Sequence, residues 1–242
     1  MYLYFLIIPR KERNPKMINV AILGFGVVGS GVAEVLTQNK GIIENKLGVE
    51  VNIKYILDLR DFPGNPFENK IVHDFNIILN DPEVSIVAEM MGGSHPAYDF
   101  SKAALEAGKS VVTSNKEVVA NFGEELINTA KANGVAYLFE ASVGGGIPII
   151  RPMCNDLASN NITEISGILN GTTNYILTKM TTEGAAFDDV LRDAQEKGYA
   201  ERNPAADVEG LDAARKIVIL AALAFGGKIS YGIWKYLTGV RK

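Results

Sequence analysis

Asp212 and Lys216 stand four residues apart in the stretch Gly198-Tyr199-Ala200-Glu201-Arg202-Asn203-Pro204-Ala205-Ala206-Asp207-Val208-Glu209-Gly210-Leu211-Asp212-Ala213-Ala214-Arg215-Lys216. On a helix they share one face, one turn apart, with the acid on the N-terminal side. The stretch opens as a Gly- and Pro-bearing loop and continues as an apolar-periodic run through Ile217, Leu220, Ala221 and Ala224, which puts the charges at a loop-to-helix junction. On a solvated surface such a pair is an ordinary ion pair worth about 0.3–0.5 kcal/mol. The neighbourhood supports a second reading, because Val218, Leu223 and Phe225 leave little polar face while Glu201, Asp207 and Glu209 crowd in from the loop. A lysine held among carboxylates beside an apolar helix can have its proton affinity tuned for acid–base work.

A proton carrier needs a partner chemistry, and the first part of the chain offers one. Ile18 to Leu23 is a short β-rich apolar run, followed by Gly24-Phe25-Gly26-Val27-Val28-Gly29 and the helical pattern Val32, Val35, Leu36. Strand, glycine turn and helix in that order make a dinucleotide-binding fingerprint, in which the helix N-terminus offers free N–H groups to a pyrophosphate. Glycines serving packing alone are the alternative. Val51 to Leu57 reads as the next strand, ending in Asp58-Leu59-Arg60-Asp61. An acid there suits the ribose hydroxyls of NAD and Arg60 suits the 2′-phosphate of NADP, so the cofactor's phosphate stays open. The interval from the glycines exceeds the usual ~20 residues, and Gly41 to Gly48 reads as an inserted turn.

The rest of the first half alternates. Asp61 to Pro66 is a loop, and Ser85 to Met90 a buried strand ending in Gly92-Gly93, where bare backbone lets a cofactor's nicotinamide half come close. His95 reads as a loop residue rather than a general base. Ala97 to Ala107 reads as helix, Ser110 to Thr113 as strand, and Thr113-Ser114-Asn115-Lys116-Glu117 opens a helix through Val118, Val119 and Leu126. A lysine in a helix's first turn is unfavourable unless something negative is nearby, so Lys116 is either a solvated lysine or one that meets a bound anion. Val135 to Phe139 completes a doubly wound parallel sheet.

Glu140-Ala141-Ser142-Val143-Gly144-Gly145-Gly146-Ile147-Pro148 hands the chain to a second, α+β domain. Three glycines free the backbone to aim carbonyls at one point, and hard cations take such oxygen ligands; a flexible hinge is the other reading. Ile149 to Ser159 reads as helix, Ile162 to Leu169 as strand, Gly171 to Met180 as helix, and Phe187 to Lys197 as an amphipathic helix that Gly198 ends. The organisation expected is residues 17–140 as the nucleotide domain and 141–242 as the substrate and dimerisation domain.

Composition narrows the classes. The chain has 242 residues, 47% of them hydrophobic and 21% charged, and a net charge of −4; with pI ≈ 5.4 there is no electrostatic footprint for nucleic acid. Cys154 is the single cysteine, so no intrachain disulfide forms, a reducing interior is the simplest home, and the thiol reads as packed rather than nucleophilic. No run approaches the ~20 apolar residues of a spanning helix. Tyr2 to Ile8 lacks the basic segment and the cleavage site of a signal peptide, and residues 1–16 are expected to be an extension from an upstream start codon, with Met17 the natural beginning.

GYAERNPAADVEGLDAARK at 198–216 resembles the catalytic signature of homoserine dehydrogenases. The resemblance extends in order through GFGVVGSGV near residue 24, MGG at 91–93, SNKE at 114–117, EASVGGGIPII at 140–150 and GILNGTTNYIL at 167–177. It implies a cytoplasmic homodimeric enzyme of threonine and methionine biosynthesis, reversibly reducing L-aspartate 4-semialdehyde to L-homoserine with NADP or NAD. Lys216 is then the proton donor or base, Asp212 orients the substrate, Asp207 joins the same polar cluster and Glu201 binds the substrate ammonium. Lys116 holds the substrate or its developing charge and also touches the cofactor. The cofactor is further bound by the 24–29 turn (Gly24, Phe25, Gly26, Val27, Val28 and Gly29) and by Arg60, Gly92 and Gly198. A monovalent cation such as sodium is bound by the Glu140 side chain and the carbonyls of Val143, Gly145 and Ile147.

Two departures stand out. Asn203 occupies the place of the usual aspartate in the E-x-D-P sequence, which removes a charge but keeps hydrogen-bonding capacity. After Ala224-Phe225-Gly226 the resemblance fades and ends near Ser230, so a truncated second domain is expected. That leaves two further readings, an inert nucleotide-binding or dimerising fragment and another Rossmann oxidoreductase acting on a small amino-acid aldehyde or alcohol.

Overall fold

The computed structural model describes residues 17–226; the expected extension at 1–16 and the stretch beyond Gly226 lie outside the described residues. The chain divides into two compact units after Asn155.

The first unit runs β1 (Met17–Leu23), α1 (Val27–Gln38), α2 (Lys40–Leu47), β2 (Glu50–Leu57), β3 (Ile71–Val72), α3 (Phe75–Leu79), β4 (Val84–Glu89), α4 (Ala97–Glu106), β5 (Ser110–Thr113), α5 (Lys116–Ala132), β6 (Tyr137–Leu138) and α6 (Ile150–Asn155). The six strands form one sheet in the order β3-β2-β1-β4-β5-β6, every pair parallel. The order reverses between β1 and β4, the switch point where a doubly wound sheet receives its ligand. Helices cover such a sheet on both faces, so β1 is an unbroken apolar run over its last four residues, all buried. Val20, Ile22, Ile53, Ile56, Ala33 and Phe25 form one buried cluster, and Phe25 meets Phe62 edge-on at 5.0 Å between ring centroids.

The second unit holds α7 (Gly171–Glu183), α8 (Phe187–Glu196), α9 (Ala205–Val208) and α10 (Leu211–Phe225). The buried apolar residues on these helices are Ile176, Val190, Ala194, Ala214, Val218, Ile219 and Leu220. Helix α10 starts after Gly210 at φ 74° and ends at Gly226 at φ 69°, left-handed conformations that only glycine takes without strain.

Two local expectations are corrected. Gly41 to Gly48 is no turn: Lys40–Leu47 forms α2 and only Gly48, at φ 70°, turns the chain. The glycine at 41 misleads because one glycine costs a helix only about 1 kcal/mol, here offset in part by the Lys40–Glu44 pair one turn apart. Residues 162–169 form no strand, because a strand exists only in a ladder and no other strand lies in the second unit among the described residues. No described helix is long and apolar enough to cross a membrane.

Candidate active site

The glycine turn is built around its own carbonyl. A Cβ on Gly29 would lie 1.9 Å from the Gly24 oxygen, whereas one on Gly26 would meet nothing within 4 Å. Gly29 is therefore a packing glycine and Gly26 borders open space. Gly24, at φ 89°, packs against the Met90 carbonyl, tying the turn to the end of β4. Helix α1 has Gly26 as N-cap, with no side-chain cap and no acid in its first turn, which leaves its first N–H groups for an anion. Val27 and Val28 are exposed there.

Asp58 braces this turn. Its carboxylate accepts the Phe25 N–H at 2.8 Å and, from Arg60, the backbone N–H at 3.0 Å and Nε–H at 2.9 Å. The Arg60 guanidinium in turn donates to the Phe25 carbonyl at 3.3 Å and lies over the Phe62 ring at 5.0 Å. The Arg60 side chain, hydrogen-bonded to Asp58, holds that carboxyl well below the usual carboxylate range, against the effect of burial. The acid is thus occupied internally, and the exposed basic group at the rim is Arg60.

At the ends of β4 and β5, Gly92 borders open space. Asn115 caps α5 by accepting the Val118 N–H at 3.2 Å, and its Nδ2 donates to the carbonyls of Gly93 at 2.8 Å and Met91 at 3.3 Å. The amide thus fixes the Met91–Gly93 loop beside half-buried Lys116, the first residue of α5. His95 pairs with Asp99 at 2.7 Å and packs against Tyr98 and Phe122.

Glu140 has a position that sequence reasoning missed. Its Oε1 accepts the N–H groups of Ile149 at 2.6 Å and Ile150 at 2.8 Å, and its Oε2 that of Arg151 at 2.8 Å. It therefore caps α6 across the glycine loop. Within that loop the Ile147 carbonyl lies where a Cβ on Gly144 would sit, 2.2 Å away, and the Ile147 N–H donates to the Gly144 carbonyl at 2.9 Å. Cys154, on α6, is half-buried, and burial pushes its thiol pKa up, as suits a packed side chain.

In the second unit Lys216 Nζ lies 2.9 Å from Asp212 Oδ2, with side chains 18% and 7% exposed, so this is no solvated surface pair. Lys216 also donates to the Leu169 carbonyl at 2.9 Å. Asn170 is the hub: its Nδ2 donates to Asp207 at 2.7 Å and to Asp212 at 3.0 Å, and its Oδ1 caps α7 through Thr173 N–H at 2.8 Å. Lys216, Asp212 and Asp207 are thus brought together. Glu201 is not among them; its side chain is exposed and its carbonyl accepts from Gln195 at 3.1 Å. Gly198 ends α8 at φ 75°. Asn203 accepts the Ala205 N–H at 3.3 Å, a turn bond that aspartate could make equally. Asn170 was missed as a site residue; the signal available was an Asn-Gly-Thr-Thr helix opening inside a quoted motif.

A doubly wound sheet with an open glycine turn at its switch point, followed by a separate unit carrying a buried lysine–carboxylate cluster, defines a nucleotide-binding oxidoreductase class of protein. The family model for the homoserine dehydrogenase NAD-binding domain matches residues 24–140, and that for homoserine dehydrogenase matches 148–236, past Ser230. The chain belongs to the homoserine dehydrogenase family. It is 47% identical over 214 residues to the homoserine dehydrogenase of Synechocystis, covering 88% of this chain and 49% of that protein. Its fold is similar to the crystal structure of a homoserine dehydrogenase from Thiobacillus denitrificans (TM-score 0.83, 41% identity, 90% of this chain and 51% of that one). A hyperthermophilic archaeal homoserine dehydrogenase solved in complex with NADPH is also similar (TM-score 0.77, 32% identity, 87% and 70%). The chain spans about half the length of the curated relatives it matches.

Proposed function

We propose that this chain interconverts L-homoserine and L-aspartate 4-semialdehyde with NADP or NAD. The observation that carries the reading is the Lys216–Asp212 pair at 2.9 Å in a largely buried setting. Reduction of an aldehyde leaves an alkoxide that must take a proton, and a positioned carrier supplies about 10²–10⁴-fold in rate. Lys216 gives or accepts that proton; Asp212 and the Leu169 carbonyl hold its ammonium in place. Asp212 and Asp207 orient the substrate's polar groups, Glu201 answers its ammonium, and Lys116 holds the substrate or its developing charge. When bound, the nicotinamide cofactor supplies or takes the hydride.

The residues present fit such a cofactor: the open space at Gly26 and the uncapped start of α1 suit a pyrophosphate. Gly92, Lys116 and Gly198 complete its contacts. Arg60, exposed at the rim while Asp58 is occupied, favours the 2′-phosphate of NADP. For a monovalent cation the proposed ligands are the Glu140 side chain, whose Oε1 takes two N–H groups and whose Oε2 takes one, and the carbonyls of Val143, Gly145 and Ile147. The proposed assembly is a homodimer and the proposed location the cytoplasm, as for a biosynthetic enzyme of threonine and methionine.

The deciding experiment is homoserine-dependent reduction of NADP and NAD by this chain and by Lys216→Ala. Turnover lost in the variant supports the reading. No turnover in either with cofactor still bound supports the inert fragment, which the half-length coverage of the relatives keeps in view.

A further inference from the structure

Glu89, the last residue of β4, is fully buried, and the chemistry above does not use it. Its Oε1 accepts the Met91 N–H at 2.7 Å and its Oε2 the Thr113 hydroxyl at 2.6 Å. Thr113 Oγ1 accepts the Asn115 N–H at 2.9 Å, so the hydroxyl's own proton is directed at Glu89. Both hydrogen bonds to this carboxyl come from donors, one on each oxygen, as suits an ionised group.

No lysine or arginine lies within ion-pair distance of it among the described residues. Burial raises its pKa above the ordinary glutamate value, and the hydrogen bonds from Thr113 and Met91 only partly oppose that. The nearby Tyr137 hydroxyl is buried with no hydrogen-bond partner, and burial, then the charge of Glu89, push its pKa up. Lys109, the other buried charge among the described residues of this unit, is by contrast settled at the start of β4 by the carbonyls of Asp81 at 2.6 Å and Val84 at 3.1 Å.

The position of Glu89 gives its charge a use. It stands opposite Leu23 of β1 and Thr113 of β5, where three parallel strands end together. The pyrophosphate turn follows Leu23, so in a doubly wound sheet the cofactor's other half lies over the ends of β4 and β5. The ring carried by that half is cationic when oxidised and neutral when reduced.

We propose that Glu89 determines the site's preference between the cofactor's oxidation states, its buried charge favouring the cationic oxidised nicotinamide over the neutral reduced ring. This rests on the cofactor-binding reading above. The same carboxylate also ties the Met91 loop to Thr113, but a purely structural role would change both affinities together.

The test is calorimetric binding of NADP⁺ and NADPH to the full chain and to Glu89→Gln and Glu89→Asp, each checked for a cooperative melt. Glu89→Gln should raise the ratio Kd(NADP⁺)/Kd(NADPH) about tenfold, the scale of one partly screened charge. Glu89→Asp, which keeps the charge, should leave it within about twofold of the parent. An unmoved ratio in folded Glu89→Gln overturns the assignment. If that variant does not fold, Glu89→Asp decides: a retained ratio supports the assignment and a tenfold shift overturns it. A parent chain that binds neither form overturns the cofactor reading itself, and the assignment with it.

Discussion

Asn170 holds Asp212 by its Nδ2 at 3.0 Å while its Oδ1 caps α7. One amide therefore joins the start of a helix to the carboxylate that faces Lys216. Asn170→Ala should lose the cap, about 1 kcal/mol, and leave a buried carboxylate short of a donor, about 1–3 kcal/mol more. Urea unfolding should show a loss of roughly 2–4 kcal/mol, with Asn170→Ser recovering the cap portion only.

Asp212→Asn keeps the shape but removes the charge that pairs with Lys216 at 2.9 Å. Its kcat should fall by about a hundredfold or more, the scale of a displaced proton carrier, with cofactor affinity unchanged. Activity within threefold of the parent would mean that the pair is a structural one.

The two glycines of the turn should separate. Gly29→Ala puts a methyl 1.9 Å from the Gly24 carbonyl and should destabilise the first unit by about 1–3 kcal/mol, as overpacking does. Gly26→Ala meets open space at φ −80° and should melt normally while binding NADP(H) at least about tenfold more weakly, since its methyl competes for the pyrophosphate's position. Equal losses of stability in both would favour glycines that serve packing alone.

Acid should weaken the first unit through Asp58. Its folded pKa is depressed, mainly by the Arg60 side chain, so its stabilisation is complete above the unfolded value of about 3.9 and is lost as pH falls through the lower folded value. Stability measured from pH 5 downward should drop less steeply in Asp58→Asn, which starts from a lower plateau.

Arg60→Ala should weaken NADP binding by about 10–100-fold, the worth of charge-assisted hydrogen bonds to a phosphate, and NAD binding by less than about threefold. Titration of both cofactors against the variant checks this, and equal losses would remove Arg60 from the 2′-phosphate's recognition.

Part of this protein is written in short-range pattern. Leu23 followed by Gly24, Gly26 and Gly29 dictates strand, turn and helix through local backbone freedom, and the four-residue interval of Asp212 and Lys216 places them on one face of any helix. Tertiary structure decided the rest. Whether that pair was solvated or buried depended on Asn170 and Leu169 arriving from the start of α7, more than forty residues earlier in the chain. Glu140 became the cap of α6 only because the glycine loop folds back on it, and 162–169 failed as a strand because pairing needs a partner that no residue of the segment can supply. The common reason is range: torsional preference and periodicity act over a few residues, whereas burial, ladder formation and shared hydrogen bonds depend on segments the chain brings together from a distance.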